Sequence, residues 1–304
     1  MEPSTQASRA GASRGGLLLL GCALLLLNGC RAVHQRRIVV GSKNFTEQIV
    51  LAELLAQEME SRSGLPVERR VNLGGTLICQ QALRAGQIDL YVEYTGTALT
   101  VVLGEQPFSN PGEVYQRVKA DYAQRFGLEV TEPLGFNNTF AIVVRGQDAR
   151  GWKLRTISDL APHAPRMRAG FGYEFMERPD GFRGWSETYH LKFAEPPRIM
   201  DLGLIYRALK EKQVDVVAGN STDGVIAALD LAVLEDDRHY FPPYEAVPIV
   251  RRETLERHPE LRTVLGTLGG RISEADMRRM NYAVDGEHRD VAVVVREFRR
   301  AKGL

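Results

Sequence analysis

Gln81–Ala98, QALRAGQIDLYVEYTGTA, recurs in fainter form as Arg207–Gly224, RALKEKQVDVVAGNSTDG. The offset is constant: Ala82, Leu83, Gln87, Ile88 and Asp89 align with Ala208, Leu209, Gln213, Val214 and Asp215. Each copy reads as a helix end, a tight turn, a short apolar strand and a helix start. One unit used twice predicts two similar lobes facing each other across a cleft. Helix starts aimed into a cleft suit small ligands with anionic groups. The bland alternative is a chance likeness between two strand–helix units.

Outward from the repeat, apolar runs alternate with helical spacing. Ile38–Val40 reads as a strand, Thr46–Ser61 as a helix and Val67–Leu73 as a strand. Gly74-Gly75-Thr76 opens a helix running to Arg84, where the glycine pair lets backbone approach a ligand. Strands are expected at Ile88–Val92, Thr139–Val144, Arg168–Phe171, Val214–Ala218, Leu231–Leu234 and Ala246–Val250. Helices are expected at Val114–Phe126, Gly181–His190, Glu253–Leu268 with a break at Pro259, Ser273–Tyr282 and Val291–Lys302. Strands alternating with helices imply an α/β fold with parallel sheets.

The 304 residues carry a formal net charge of +1, with 44% hydrophobic and 25% charged residues, enough for two lobes with sizeable cores. A charge so near zero makes no electrostatic case for nucleic acid. Arg9 and Arg14 precede the apolar run Leu17–Leu27, which ends in Asn28-Gly29-Cys30. That order predicts a secretory signal over residues 1–29. A cysteine directly after it resembles a bacterial lipoprotein signal with Cys30 as the lipidated residue, followed by a polar tether to residue 36. The protein is thus expected outside the cytoplasm, in the periplasm or at the cell surface, held to the membrane by lipid. Cys79 sits among Leu77, Ile78 and Leu83 and reads as a buried structural thiol. No G-x-S-x-G, no H-E-x-x-H and no Cys/His cluster with metal spacing is present, so neither an enzyme nor a metal or cofactor site is expected.

Six longer stretches carry a family likeness. They are Gly41-Ser-Lys-Asn-Phe-Thr-Glu-Gln48, Leu73-Gly-Gly-Thr76, Tyr94-Thr-Gly-Thr97, Leu134-Gly-Phe-Asn-Asn-Thr139, Leu234-Glu-Asp-Asp237 and Phe241-Pro-Pro-Tyr244. In this order they resemble the glycine betaine/choline/carnitine substrate-binding proteins of osmoprotectant ABC importers. The resemblance implies a two-lobed periplasmic-binding-protein fold of type II, each lobe a sheet flanked by helices. Residues 37–137 plus 245–304 would form one lobe and 138–244 the other. The implied partners are a small zwitterionic or cationic ligand and an ABC permease in the inner membrane, and the protein is expected to act as a monomer. A ligand sensor using the same fold, or a binder of another polar amino-acid derivative, is the alternative.

A quaternary ammonium donates no hydrogen bonds, so aromatic faces hold it by cation–π attraction, while a carboxylate needs cations and donors. Carried over motif by motif, the resemblance implies aromatic positions at Tyr94, Phe140 and Tyr244 and anion-holding positions at Lys43, Thr97 and Arg178. Asn220 and Phe140 stand where the family typically has tyrosine. The first replaces an aromatic wall with an amide, and the second keeps the ring without its hydroxyl. Gln80 and Asp223 are candidate extra polar contacts, and Asp223 reads equally as a helix cap.

Overall fold

The structure, a computed structural model, describes residues 37–304 apart from the side chain of Ala227. The expected signal over 1–29, Cys30 and the tether lie outside the described residues. The chain from Arg37 to Leu304 forms one compact unit.

It opens with β1 (Ile38–Gly41), α1 (Thr46–Ser63), β2 (Val67–Arg70), α2 (Thr76–Arg84), β3 (Leu90–Tyr94), α3 (Thr95–Thr97), α4 (Pro111–Phe126) and β4 (Leu128–Val130). The middle holds β5 (Phe140–Arg145), α5 (Gly146–Trp152), β6 (Ala169–Phe171), α6 (Tyr173–Glu177), α7 (Phe182–Thr188), β7 (Arg198–Ile199), α8 (Ile205–Lys210), β8 (Val216–Asn220), α9 (Val225–Ala228) and β9 (Leu231–Leu234). The chain ends with β10 (Ala246–Arg251), α10 (Arg252–Arg257), α11 (Glu260–Gly266), α12 (Glu274–Asp285) and α13 (Val291–Lys302). Local chemistry explains several ends. Asn110 caps α4, which begins with Pro111 and stops at Gly127 with φ of 65°. Ser273 and Asp276 form a reciprocal capping box at α12. Pro259 separates α10 from α11, as its missing N–H requires.

The described strands make two sheets of five, in the orders β2-β1-β3-β10-β4 and β7-β6-β8-β5-β9. The orders are equivalent strand for strand, and the duplicated segments explain why. β3 and β8 occupy matching residues of the two copies, and each is the central strand of its sheet. The turn before each strand has the same geometry. Gln87 N–H donates to the Ala82 carbonyl and Gln213 N–H to the Ala208 carbonyl, both at 2.9 Å. Gly86 (φ 69°) and Lys212 (φ 58°) take the same left-handed position. Asp89 accepts from Val39 N–H and Asp215 from Arg168 N–H, each at 2.9 Å. Those side-chain bonds keep Ile88, Asp89 and their counterparts in the turn, so each strand starts two residues later than its apolar run suggests.

The expectation of parallel sheets requires correction. β1 runs parallel to β2 and β3, and β6 to β7 and β8, but β10 and β5 run antiparallel to both of their neighbours. Each enters its sheet directly from the other lobe, with no crossover helix. It therefore starts at the end where the parallel strands finish: Ala246 opposes Tyr94 and Phe140 opposes Asn220. The connecting segments pair as they cross, with Asn137 bridged to Glu245 and Asn138 N–H donating to the Tyr244 carbonyl at 3.0 Å.

Alternation along β5 divides the core of the second lobe: Ala141 and Val143 face one hydrophobic cluster, Ile142 and Val144 another. The first lobe likewise has a cluster on each face of its sheet. Phe140 and Phe241 pack against clusters of both lobes, so the crossing is apolar at its centre.

Candidate functional site

Strand ends define the site. Tyr94 ends β3, Asn220 ends β8, Phe140 begins β5, and Tyr244 lies just before β10. Between the two sheets these residues line a cavity of about 170 Å³ together with Lys43, Thr97 and Arg178. All seven residues carried over from the motifs therefore meet at one cavity. Phe45, Tyr173 and Phe175 add aromatic surface, and Glu174 and Asp201 add acidic groups.

Lys43 is 2% exposed, and its ammonium forms an ion pair with fully buried Glu93 while lying 5.1 Å from the Tyr94 ring centroid. Glu93 also accepts from Tyr94 N–H at 2.7 Å and from the Tyr91 hydroxyl at 3.1 Å. Phe45 stacks on Tyr94 with centroids 6.4 Å apart. The Tyr94 hydroxyl donates to Glu47 Oε1 at 2.5 Å, which fixes the ring in the wall.

Glu47 is 1% exposed and no cation pairs with it among the described residues. Four donors surround it instead. Asn138 Nδ2 joins Tyr94 at Oε1 with a 2.7 Å bond, while Thr222 Oγ1 and Asn281 Nδ2 donate to Oε2, the latter at 3.1 Å. Burial pushes the Glu47 carboxyl above its ordinary value, and the four hydrogen bonds only partly oppose that. Thr222 follows β8 and Asn281 lies on α12, so this one carboxylate ties the two lobes together.

Arg178 is the second buried cation. Its Nε and Nη2 donate to Asp180 at 2.8 and 2.7 Å. Its guanidinium carbon sits 4.8 Å from the Phe140 centroid and 5.6 Å from that of Tyr244. Asp180 further accepts from the Tyr244 hydroxyl at 2.6 Å and from Thr100 Oγ1 at 3.1 Å. Burial pushes the Asp180 carboxyl up, but Arg178 and the two hydroxyls outweigh it and hold the group below its ordinary value. The protein's own guanidinium thus uses one face each of Phe140 and Tyr244. Thr97 is 2% exposed, and its hydroxyl makes no hydrogen bond to a described residue. Gly96 lets Tyr244 approach: an added Cβ would stand 2.6 Å from the Pro243 carbonyl and 2.7 Å from the Tyr244 ring.

The two weaker candidates lie apart from the cavity wall. Gln80 is buried on α2, with its side-chain amide 3.3 Å from the Tyr91 hydroxyl that donates to Glu93. Asp223 accepts from Asn220 N–H at 2.9 Å and from the Tyr206 hydroxyl at 2.5 Å, so it holds the end of β8. It borders an adjoining pocket that shares Asn220 and Phe45 with the first. Cys79 is fully buried and its thiol is pushed up to about 12 by burial, consistent with a structural role.

Motif reading missed Phe45, Glu47, Glu93, Glu174 and Asp180. Phe45 and Glu47 stand in the same stretch as Lys43, and Asp180 two residues after Arg178. A rule that every buried cation needs a carboxylate would have pointed to Glu93 and Asp180. Glu174 opens the stretch Glu174–Gly181 that carries Arg178, but nothing in that stretch signals its contact with Thr76.

The family model described as the substrate binding domain of ABC-type glycine betaine transport systems matches residues 36–301. A carnitine transport binding protein of Listeria monocytogenes, OpuCC, is 36% identical over 286 residues, covering 93% of this chain and 91% of that protein. A glycine-betaine-binding protein of Pseudomonas aeruginosa is 37% identical over 299 residues, covering 94% of each. The crystal structure of a glycine betaine/carnitine/choline ABC transporter protein superposes with a TM-score of 0.74 at 35% identity, covering 88% of this chain and 98% of that one.

Proposed function

The chain belongs to the family of substrate-binding domains of ABC-type glycine betaine transport systems, and on that premise we propose that it captures a small quaternary-ammonium cation or related zwitterion in the cleft and delivers it to a membrane permease. The family serves transport and is not a class of enzymes. The observation that carries the reading is the meeting of Lys43, Tyr94, Thr97, Phe140, Arg178, Asn220 and Tyr244 at one cavity.

In this reading residues 37–137 plus 245–304 form one lobe and 138–244 the other, and the paired crossing segments act as the hinge. The open form meets ligand with one lobe, and closure brings the second against it. Tyr94 and Phe45 offer aromatic surface to the methylated ammonium, and the Thr97 hydroxyl and the Asn220 amide offer polar contacts. Cys30 carries lipid, which keeps the protein beside its permease outside the cytoplasm.

Titration calorimetry with glycine betaine, choline, carnitine, proline betaine and ergothioneine tests the proposal. At least one of these five ligands should bind with 1:1 stoichiometry. Tyr94→Ala should weaken that ligand about 2- to 30-fold, the worth of one cation–π face at about 0.5–2 kcal/mol. No binding by any of the five, or full affinity in Tyr94→Ala, refutes the aromatic-wall reading.

A further inference from the structure

Four charged side chains line the cavity: Lys43, Arg178, Glu174 and Asp201. The two cations are already neutralised by buried carboxylates, Lys43 by Glu93 and Arg178 by Asp180. The two acids have no ion-pair partner among the described residues. Asp201 is exposed and caps Gly203 N–H at 2.8 Å. Glu174 is the deeper one. It projects from α6 of the second lobe across the cleft to the first turn of α2 in the first lobe, where Oε1 accepts Thr76 N–H at 2.6 Å. Contact with the helix start is close enough that a Cβ at Gly75 would collide with the Glu174 carboxylate.

The helix start that would suit a ligand's carboxylate is therefore held by the protein's own carboxylate. The four charged lining groups, Lys43, Arg178, Glu174 and Asp201, with the two carboxylates that pair with the cations, Glu93 and Asp180, make two positive and four negative groups. A ligand carboxylate entering this space meets an acid already in place. It must displace Glu174 from Thr76, which also breaks a contact joining the lobes. A cation lacking a carboxylate gains attraction from Glu174 and leaves that contact intact.

We propose that Glu174 sets the charge class of the ligand, so that the cavity takes a carboxylate-free quaternary ammonium in preference to a carboxylate-bearing zwitterion. The inference rests on the quaternary-ammonium reading above and narrows it.

Choline and glycine betaine share the trimethylammonium group and differ in hydroxyl against carboxylate, so they are the probe pair. Titration calorimetry on the wild-type protein should give choline at least about ten-fold the affinity of glycine betaine, as like charge in a partly dry cleft demands. Glu174→Gln keeps the shape and removes the charge. It should shrink the ratio at least about five-fold, mainly by strengthening glycine betaine. Equal affinity, or a preference for glycine betaine, in the wild type overturns the inference and leaves the quaternary-ammonium reading standing. A ratio unmoved in a folded Glu174→Gln protein also overturns it. Binding of neither ligand overturns the inference, and the quaternary-ammonium reading falls with it only if carnitine, proline betaine and ergothioneine also fail to bind. The wild-type ratio needs no variant, so misfolding of Glu174→Gln leaves the test decisive.

Discussion

Glu47→Gln isolates the buried carboxylate that ties the lobes together. The side chain is 1% exposed, and its four hydrogen-bond donors bring no countercharge. Burial therefore dominates, and the native protein holds the Glu47 proton to higher pH than the unfolded chain, whose ordinary value is 4.5. Between 4.5 and the native value, the unfolded state has released a proton that the native state retains. Stability from this group is thus fully present below 4.5 and is lost as pH rises through the native value. For one proton the limiting slope is about 1.4 kcal/mol per pH unit. Glutamine has nearly the same volume and does not titrate. At the acid end the variant should lie within about 1–2 kcal/mol of wild type, because amide and protonated acid are both uncharged and each keeps a carbonyl oxygen as acceptor beside a donor group. From there, the stability of Glu47→Gln minus that of wild type should climb with pH and then level off. Asp223, Asp285 and Glu245, also raised by burial, are common to both proteins and cancel in the difference. Urea unfolding followed by far-UV circular dichroism from about pH 5 to about pH 8 measures it. A difference that is flat, or that falls as pH rises, refutes the claim that burial outweighs the four hydrogen bonds.

Three further outcomes are expected. Asp180→Asn strands the buried Arg178 charge, and breaking such a pair should cost about 3–5 kcal/mol in denaturant unfolding and weaken ligand binding; a loss under about 1 kcal/mol would show that solvent reaches the guanidinium. Gly96→Ala pushes a methyl group against the Pro243 carbonyl and Tyr244 ring. It should cost about 1–3 kcal/mol by overpacking and lower affinity by moving Tyr244, measured by unfolding and calorimetry together; unchanged affinity would mean the ring does not face ligand. At Asp215, burial raises the carboxyl but Arg168 and Arg145 outweigh it and bring it to about 2, below its ordinary 3.8. Its stabilisation is present above 3.8 and lost as pH falls through about 2, so Asp215→Asn should cost about 1–2 kcal/mol near neutral pH, after solvent screening, and much less in acid. An equal cost at both ends would assign the residue a purely hydrogen-bonding role.

Two copies of one strand–helix unit made the doubled architecture legible. Conserved spacing from Ala82 to Asp89 and from Ala208 to Asp215 encodes the same turn, the same left-handed residue and the same strand. These are local features, set by contacts within a few residues, and local features survive in a sequence pattern. The direction of β5 and β10 was not legible, because it depends on which end of a sheet a chain enters after crossing between lobes. That is a property of the path through space, which apolar spacing along a strand does not record.

The same division holds at the site. The family resemblance, carried over motif by motif, named Lys43, Tyr94, Thr97, Phe140, Arg178, Asn220 and Tyr244, because the short stretches that hold them are recognisable in the sequence. Only the tertiary structure decided what each charge faces. Lys43 meets Glu93 fifty residues away, Glu47 gathers Tyr94, Asn138, Thr222 and Asn281, and Glu174 reaches Thr76 from the opposite lobe. Electrostatic interaction falls with distance and strengthens with burial, and both quantities exist only once the chain is folded.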